Sequence, residues 1–360
     1  AFDFAQNYKK FLNLCKTDRE TIIYFEKILS AEKFSDLDKR PKGKKVFRIA
    51  RGKNAAIAVI GKKPVKDGVN LIVAHIDAPR VDLKQNPLYE DGTTKLGILK
   101  THYYGGIKKY QWMSTPLAIH GVFVKANGKI VRVSIGENED EPVFVMPDLL
   151  PHLARKEQYA KKIGEAIAAQ NMNLVFNSIP FVEKENEDVK EAVKLNALVL
   201  LNEKYGIVEE DFLSAELEIV PAGKARDAGL DKSMILGYGQ DDRICAYTSA
   251  NAIFDAAIND KTAIVYLADK EEIGSEGNTG AKSVFIRNFI ADLLKYNKES
   301  YDSATLRKTL LNSQILSADV NAAINPNYPN VHEKDNAVHL GFGISVTKFT
   351  GAGGKSGSND

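Results

Sequence analysis

Three carboxylates fall within four residues at Asp269-Lys-Glu-Glu272, between the apolar run Thr262-Ala-Ile-Val-Tyr-Leu-Ala268 and the glycine-rich stretch ending at Gly280. A buried strand that delivers this much negative charge at its end is costly unless a cation neutralises it. Two adjacent glutamates, Glu271 and Glu272, can then divide the labour, one binding a metal and the other handling protons. An acidic turn in solvent has the same local composition. Other segments of the chain decide between the two.

Val69-Asn-Leu-Ile-Val-Ala74 is a second buried strand, and it ends on His75-Ile-Asp77. Residues two apart on an extended chain point the same way, so Asp77 can approach from the side of His75 and hold its tautomer. Gln314-Ile-Leu-Ser-Ala318 ends on Asp319, and the pair Asp241-Asp242 precedes a helical pattern at Ile244–Ala257. Each feature alone has an ordinary explanation, an aspartate before a helix being a common cap. In open α/β sheets, however, sites form beyond the carboxyl ends of strands, where these side chains can converge. Their joint occurrence points to a metal site. One imidazole among several carboxylates suits zinc, manganese or cobalt with open positions for water. The excess of carboxylates favours two metals ~3.5–4 Å apart that share a bridge and activate a common hydroxide.

The elements that must hold these residues are legible as patterns. Thr17-Asp-Arg-Glu20 is a capping box, and Ile22, Phe25, Ile28 and Leu29 continue it as an amphipathic helix that opens the fold. Lys45–Ala50 and Ala55–Ile60 are strands joined at Arg51-Gly-Lys-Asn54, a hairpin signal. Between about Val81 and Leu230 the texture changes. Lys100–Trp112 is aromatic and basic, and Leu117–Val124 and Lys129–Ile135 alternate like antiparallel strands. Helical segments follow around Asp148–Gln170 and Val189–Tyr205, then a strand at Ser214–Val220. After Asp231 come a helix at about 281–296 and a strand at Val338–Val346. The order predicts an α/β domain from 1–80 and 231–360, its mixed central sheet covered by helices on both faces. A β-rich domain at 81–230 is inserted into it.

Composition narrows the partners. The 360 residues carry 49 basic and 47 acidic side chains, a net charge of +2, which creates no field to gather nucleic acid or an anionic membrane. His102, Tyr103, Lys108, Lys109 and Trp112 do not change that reading. No apolar run approaches the length of a bilayer crossing. Only Cys15 and Cys245 occur, which excludes a disulfide framework or thiolate metal site and favours a reducing, cytoplasmic setting.

His75-Ile-Asp-Ala-Pro-Arg80, Lys100–Trp112, Gly239-Gln-Asp-Asp-Arg243, Asp269-Lys-Glu-Glu-Ile-Gly-Ser275, Ser317-Ala-Asp-Val320 with Asn325-Pro-Asn-Tyr328, and Lys355-Ser-Gly-Ser-Asn-Asp360 occur in that order. With these motifs the chain resembles the aspartyl aminopeptidase and vacuolar aminopeptidase I family of dinuclear zinc aminopeptidases, in its bacterial form. The resemblance implies that Asp241 bridges two zinc ions, with manganese or cobalt as substitutes. His75 and Asp319 would each bind one of them, Glu272 would be the remaining carboxylate ligand, Glu271 the general base and Asp77 the buttress of His75. Which ligand belongs to which ion stays open. A cis peptide at Asp241-Asp242 is implied as well.

Through the same resemblance the reaction is hydrolysis of the N-terminal residue from peptides, and the inserted domain serves assembly into dodecamers built from dimers, with His152 as an interface candidate. The family has a further His ligand in a Met-His motif, which has no counterpart through Asp360; the expectation is that a C-terminal part of the catalytic domain is missing and that the second metal binds weakly without it. A related dinuclear deacetylase or carboxypeptidase, and a non-catalytic assembly protein of the same fold, are the alternatives.

Overall fold

Thr17 accepts a hydrogen bond from the Glu20 N–H at 3.2 Å while Glu20 accepts from the Thr17 N–H at 3.1 Å, so the capping box is formed. It starts α2 (Asp18–Ala31), but the chain opens earlier, on α1 (Phe2–Leu14). That first helix lacks a side-chain cap, which is why its start carries no signal in the sequence. The computed structural model describes residues 1–39, 41–182, 189–350 and 357–358.

Strands β1 (Ser35–Asp36), β2 (Lys45–Ala50), β3 (Asn54–Val59) and β4 (Val69–His75) follow. A second group is β5 (Arg80–Glu90), β6 (Gly97–Tyr104), β7 (Leu117–Val124), β8 (Ile130–Ile135), β9 (Leu174–Asn177) and β10 (Glu216–Pro221). Within it lie α3 (Pro151–Glu157), α4 (Ile163–Ala166) and α5 (Ala192–Tyr205). The ribbon β11 (Arg226–Ala228) with β12 (Met234–Leu236), then α6 (Gln240–Phe254), β13 (Thr262–Ala268), α7 (Phe285–Tyr296), α8 (Ser303–Leu311) and β14 (Gln314–Ser317) complete the walk.

Among the described residues the first sheet has the order β1-β2-β3-β13-β4-β14. It is mixed: β13 runs antiparallel to β3 and parallel to β4, and β14 is parallel to β4. Period-two alternation sends Ala55, Ile57 and Val59 of β3, with Val265 and Leu267 of β13, to one face, where they pack with Phe11, Phe25 and Tyr247 of α1, α2 and α6. Ala56, Ala58, Ile264 and Tyr266 point to the other, against Phe289, Leu293 and Leu294 of α7. Strands buried on both faces read as the unbroken apolar runs seen in the sequence.

The second sheet, β8-β7-β10-β5-β6-β9, is antiparallel throughout. Its core includes Val81, Leu99, Ile119, Phe123 and Leu217, capped by Ala197 and Leu201 of α5. No described helix is long and apolar enough to cross a membrane.

Residues 1–318 form one compact unit and 319–360 another. In the second, Ala323 and Val338 make a bridge, and Phe349–Thr350 pairs with Gly357–Ser358. The expected strand Val338–Val346 is not formed. Gly341 and Gly343 sit at φ +86° and +94°, which breaks the extended run just past the bridge. Of the motif Lys355–Asp360, all but Gly357 and Ser358 lies outside the described residues.

Candidate metal centre

Parallel pairing of β4 with β13 sets His75 opposite Ala268, and the Ile76 N–H donates to the Ala268 carbonyl at 2.9 Å. The two strands therefore end at one edge of the sheet, where His75 meets the loop of Glu271 and Glu272. On the other side of β4, Ser317 of β14 is in register with Val73, and the Ala318 N–H bonds the Val73 carbonyl at 2.8 Å. Asp241 comes from the start of α6. Its peptide bond to Asp242 is cis, and both residues depart from helical dihedrals before the helix proper begins.

His75 is 4% exposed, and its Nε2 lies 3.1 Å from Asp241 Oδ1 and 3.8 Å from Glu271 Oε2. One ligand atom each from His75, Glu271 and Glu272 fit within 4.8 Å of one another. Asp241 and Glu271 are half exposed and open to solvent, while His75 forms the floor.

Behind the imidazole, Asp77 is wholly buried. Its backbone carbonyl lies 3.0 Å from His75 Nδ1 and its Oδ1 3.3 Å. Its carboxylate also accepts from the Tyr104 hydroxyl at 2.7 Å and from the Glu271 and Glu272 N–H groups at 3.1 and 3.2 Å. Burial alone would raise the Asp77 carboxyl, but the donors His75, Tyr104 and Glu271 outweigh it and hold it below the usual range. Asp77 stays an anion that fixes both the imidazole and the glutamate loop.

Glu272 has the opposite balance. Burial, and then the negative charge of Asp241, push its carboxyl up to about 7. Its Oε1 is buried with no hydrogen-bond partner among the described residues. No lysine or arginine pairs with Glu272 or Asp241 among those residues. An oxygen left without a donor, beside two further carboxylates and one imidazole, fits a divalent cation.

Thus His75, Asp77, Asp241, Glu271 and Glu272 come together. Asp319 opens the second unit, and within that unit its Oδ1 accepts from the Val320 N–H at 2.7 Å. Sequence reasoning assigned no role to Tyr104 or Gly105. A Cβ on Gly105 would lie 3.1 Å from the Glu272 Cβ, and the backbone there has φ +73°, so glycine is needed for the approach. No local sequence pattern marks Tyr104: it reaches the site because the β5–β6 register sets it opposite Arg80, three residues beyond Asp77.

A profile of the aminopeptidase I zinc metalloprotease family, M18, matches residues 11–359. The chain belongs to the M18 family. This M18 chain is 52% identical over 368 residues to a probable M18 family aminopeptidase 1 of Clostridium acetobutylicum, covering 100% of itself and 77% of that relative. It superposes on the crystal structure of an M18 aminopeptidase from Thermotoga maritima with a TM-score of 0.92 at 44% identity, over 99% of this chain and 78% of that one. A structure of the Saccharomyces cerevisiae mApe1 dodecamer shares the fold, with a TM-score of 0.72 at 24% identity over 94% and 76% of the two chains. The M18 protein is a metal-dependent aminopeptidase, a hydrolase of a zinc metalloprotease family.

Proposed function

We propose that this aminopeptidase removes the N-terminal residue of peptides at a dinuclear zinc centre that His75, Asp241, Glu272 and Asp319 would hold. The observation that carries the reading is the buried Glu272 Oε1, without a hydrogen-bond partner among the described residues, beside His75, Asp241 and Glu271. Asp319 is included on the strength of the Ser317-Ala-Asp-Val320 motif in the sequence. Bound there, zinc would supply a Lewis acid for the scissile carbonyl and lower the pKa of water.

The chain's own groups do the rest. Glu271, half exposed at the mouth, takes a proton from the attacking water and returns it to the departing amine nitrogen. Asp77 keeps the Nδ1 side of His75 engaged, so that Nε2 stays directed at the site. Hydrogen bonds from the Glu271 and Glu272 N–H groups to the same carboxylate tie the base and a ligand to one anchor.

The reading extends to the domains and the assembly. Residues 1–80 and 231–360 are the catalytic domain and 81–230 an inserted domain for oligomerisation, supported by a second sheet whose strands all lie between Arg80 and Pro221. A homododecamer built from dimers is the proposed state, and a chain with two cysteines, Cys15 and Cys245, agrees with a cytoplasmic setting.

Zinc content and peptide cleavage test the centre together. Single alanine replacements of His75, Asp241, Glu272 and Asp319 are expected to lower bound zinc below the wild-type stoichiometry, and N-acetylated peptides are expected to resist cleavage. Full zinc in all four variants, or equal cleavage of blocked and free peptides, would refute it.

A further inference from the structure

Tyr104 lies at the end of β6, in the second sheet, and reaches out of that sheet to the metal centre. Its hydroxyl donates to Asp77 Oδ2 at 2.7 Å, and the ring is 8% exposed. Arg80, directly opposite in the β5–β6 ladder, places its guanidinium carbon 3.8 Å from the ring centroid. Arg80 is itself fixed, at 2.8 Å from Asp82, 3.1 Å from Glu218 and 3.9 Å from Asp18. A flat cation hydrogen-bonded to Asp82, with two further carboxyl groups within 4 Å, and stacked on the ring leaves the phenol little freedom to turn.

We propose that Tyr104, backed by Arg80, is a positioning residue that holds Asp77 against His75 and so sets the metal affinity of the centre from the second sheet. It rests on the reading above in which His75 is a metal ligand. Among the described residues, Tyr104 alone of the side chains that bond the Asp77 carboxylate comes from the second sheet; the other contacts come from His75 and the backbone of the glutamate loop. Without the hydroxyl, a wholly buried carboxylate loses a donor and its grip on the Nδ1 side of the imidazole loosens. Glycine at 105 adds a second constraint, since a Cβ at that position would lie 3.1 Å from the Glu272 Cβ.

The experiment titrates metal-free protein with zinc and with cobalt, following heat and the cobalt absorption spectrum, in the wild type, Tyr104→Phe, Arg80→Lys, His75→Ala and Tyr103→Phe. Tyr104→Phe is expected to weaken metal binding and lower kcat by roughly 10–100-fold, with KM within about 2-fold. Its cobalt spectrum should shift while the melting temperature of the metal-free protein stays within about 3 °C. Arg80→Lys keeps the charge but loses the flat face, and should shift affinity the same way by a smaller factor. It carries the test if the Phe variant does not fold. Tyr103→Phe, at an exposed neighbour, should match the wild type. Wild-type affinity and spectrum in Tyr104→Phe would overturn the proposal, as would a loss matched by KM and melting temperature alike. Full metal binding in His75→Ala would instead bring down the metal-centre reading and this inference with it.

Discussion

His120 Nδ1 lies 2.8 Å from Glu20 Oε1, joining a strand of the second sheet to the carboxylate that caps α2. The other ring nitrogen is 3.1 Å from Glu137, which also has Lys16 at 3.8 Å. Burial would lower the imidazole, but the two carboxylates overcome it and raise it to about 9. A histidine raised above its unfolded value of about 6.5 stabilises fully below that pH and loses the contribution as pH rises through about 9. The shift corresponds to at most about 3 kcal/mol. Thermal melts of wild type and His120→Gln should therefore differ most at pH 6 and converge toward pH 10. Parallel curves across that range would remove His120 from this role.

Glu271→Gln keeps the size of the base and removes its ability to accept a proton. Turnover should fall by ~10²–10⁴-fold, the range for a positioned general base, while zinc content stays at the wild-type level. Retained turnover at full metal occupancy would transfer the proton to another group.

Glu272 is expected to show opposite signs for stability and for metal. In the metal-free protein its carboxylate is half-buried, faces Asp241 and has one oxygen without a partner. Glu272→Gln removes that repulsion, so metal-free protein should melt slightly higher, by about 1 kcal/mol after solvent screening is allowed for. Zinc affinity should drop in the same variant. Calorimetry with and without chelator checks both, and a destabilised metal-free variant would contradict the charge argument.

The fold and the first ring of site residues were readable because each rests on a local pattern. The apolar runs at 69–74 and 262–268 end on His75 and the glutamates, and strand order then makes those ends neighbours. Tyr104 was not readable in that way. Its contact with Asp77 spans 27 residues and depends on the register of β5 with β6, which alternation alone does not set. Helix α1 was missed for want of a cap, and Val338–Val346 has strand composition but two glycines with positive φ.

Gly239 offers the sharpest test of how the backbone aims Asp241. Its φ is +76°, and a Cβ there would fall 1.7 Å from Arg243 Nη1. Arg243 cannot swing away easily, because it is 1% exposed and its Nη2 donates to the Lys16 carbonyl at 2.8 Å. Alanine at 239 must therefore both strain the backbone and displace a buried guanidinium, at a cost of about 2–4 kcal/mol. The displaced turn carries Asp241, two residues on, so zinc affinity should fall along with the melting temperature. Gly128→Ala is the control: it also has positive φ, at +80°, but nothing lies within 4 Å of its Cβ position. It should cost only the backbone strain, about 1 kcal/mol, and leave zinc binding unchanged. Equal losses of zinc affinity in the two variants would show that general destabilisation, and not the aim of Asp241, accounts for the effect.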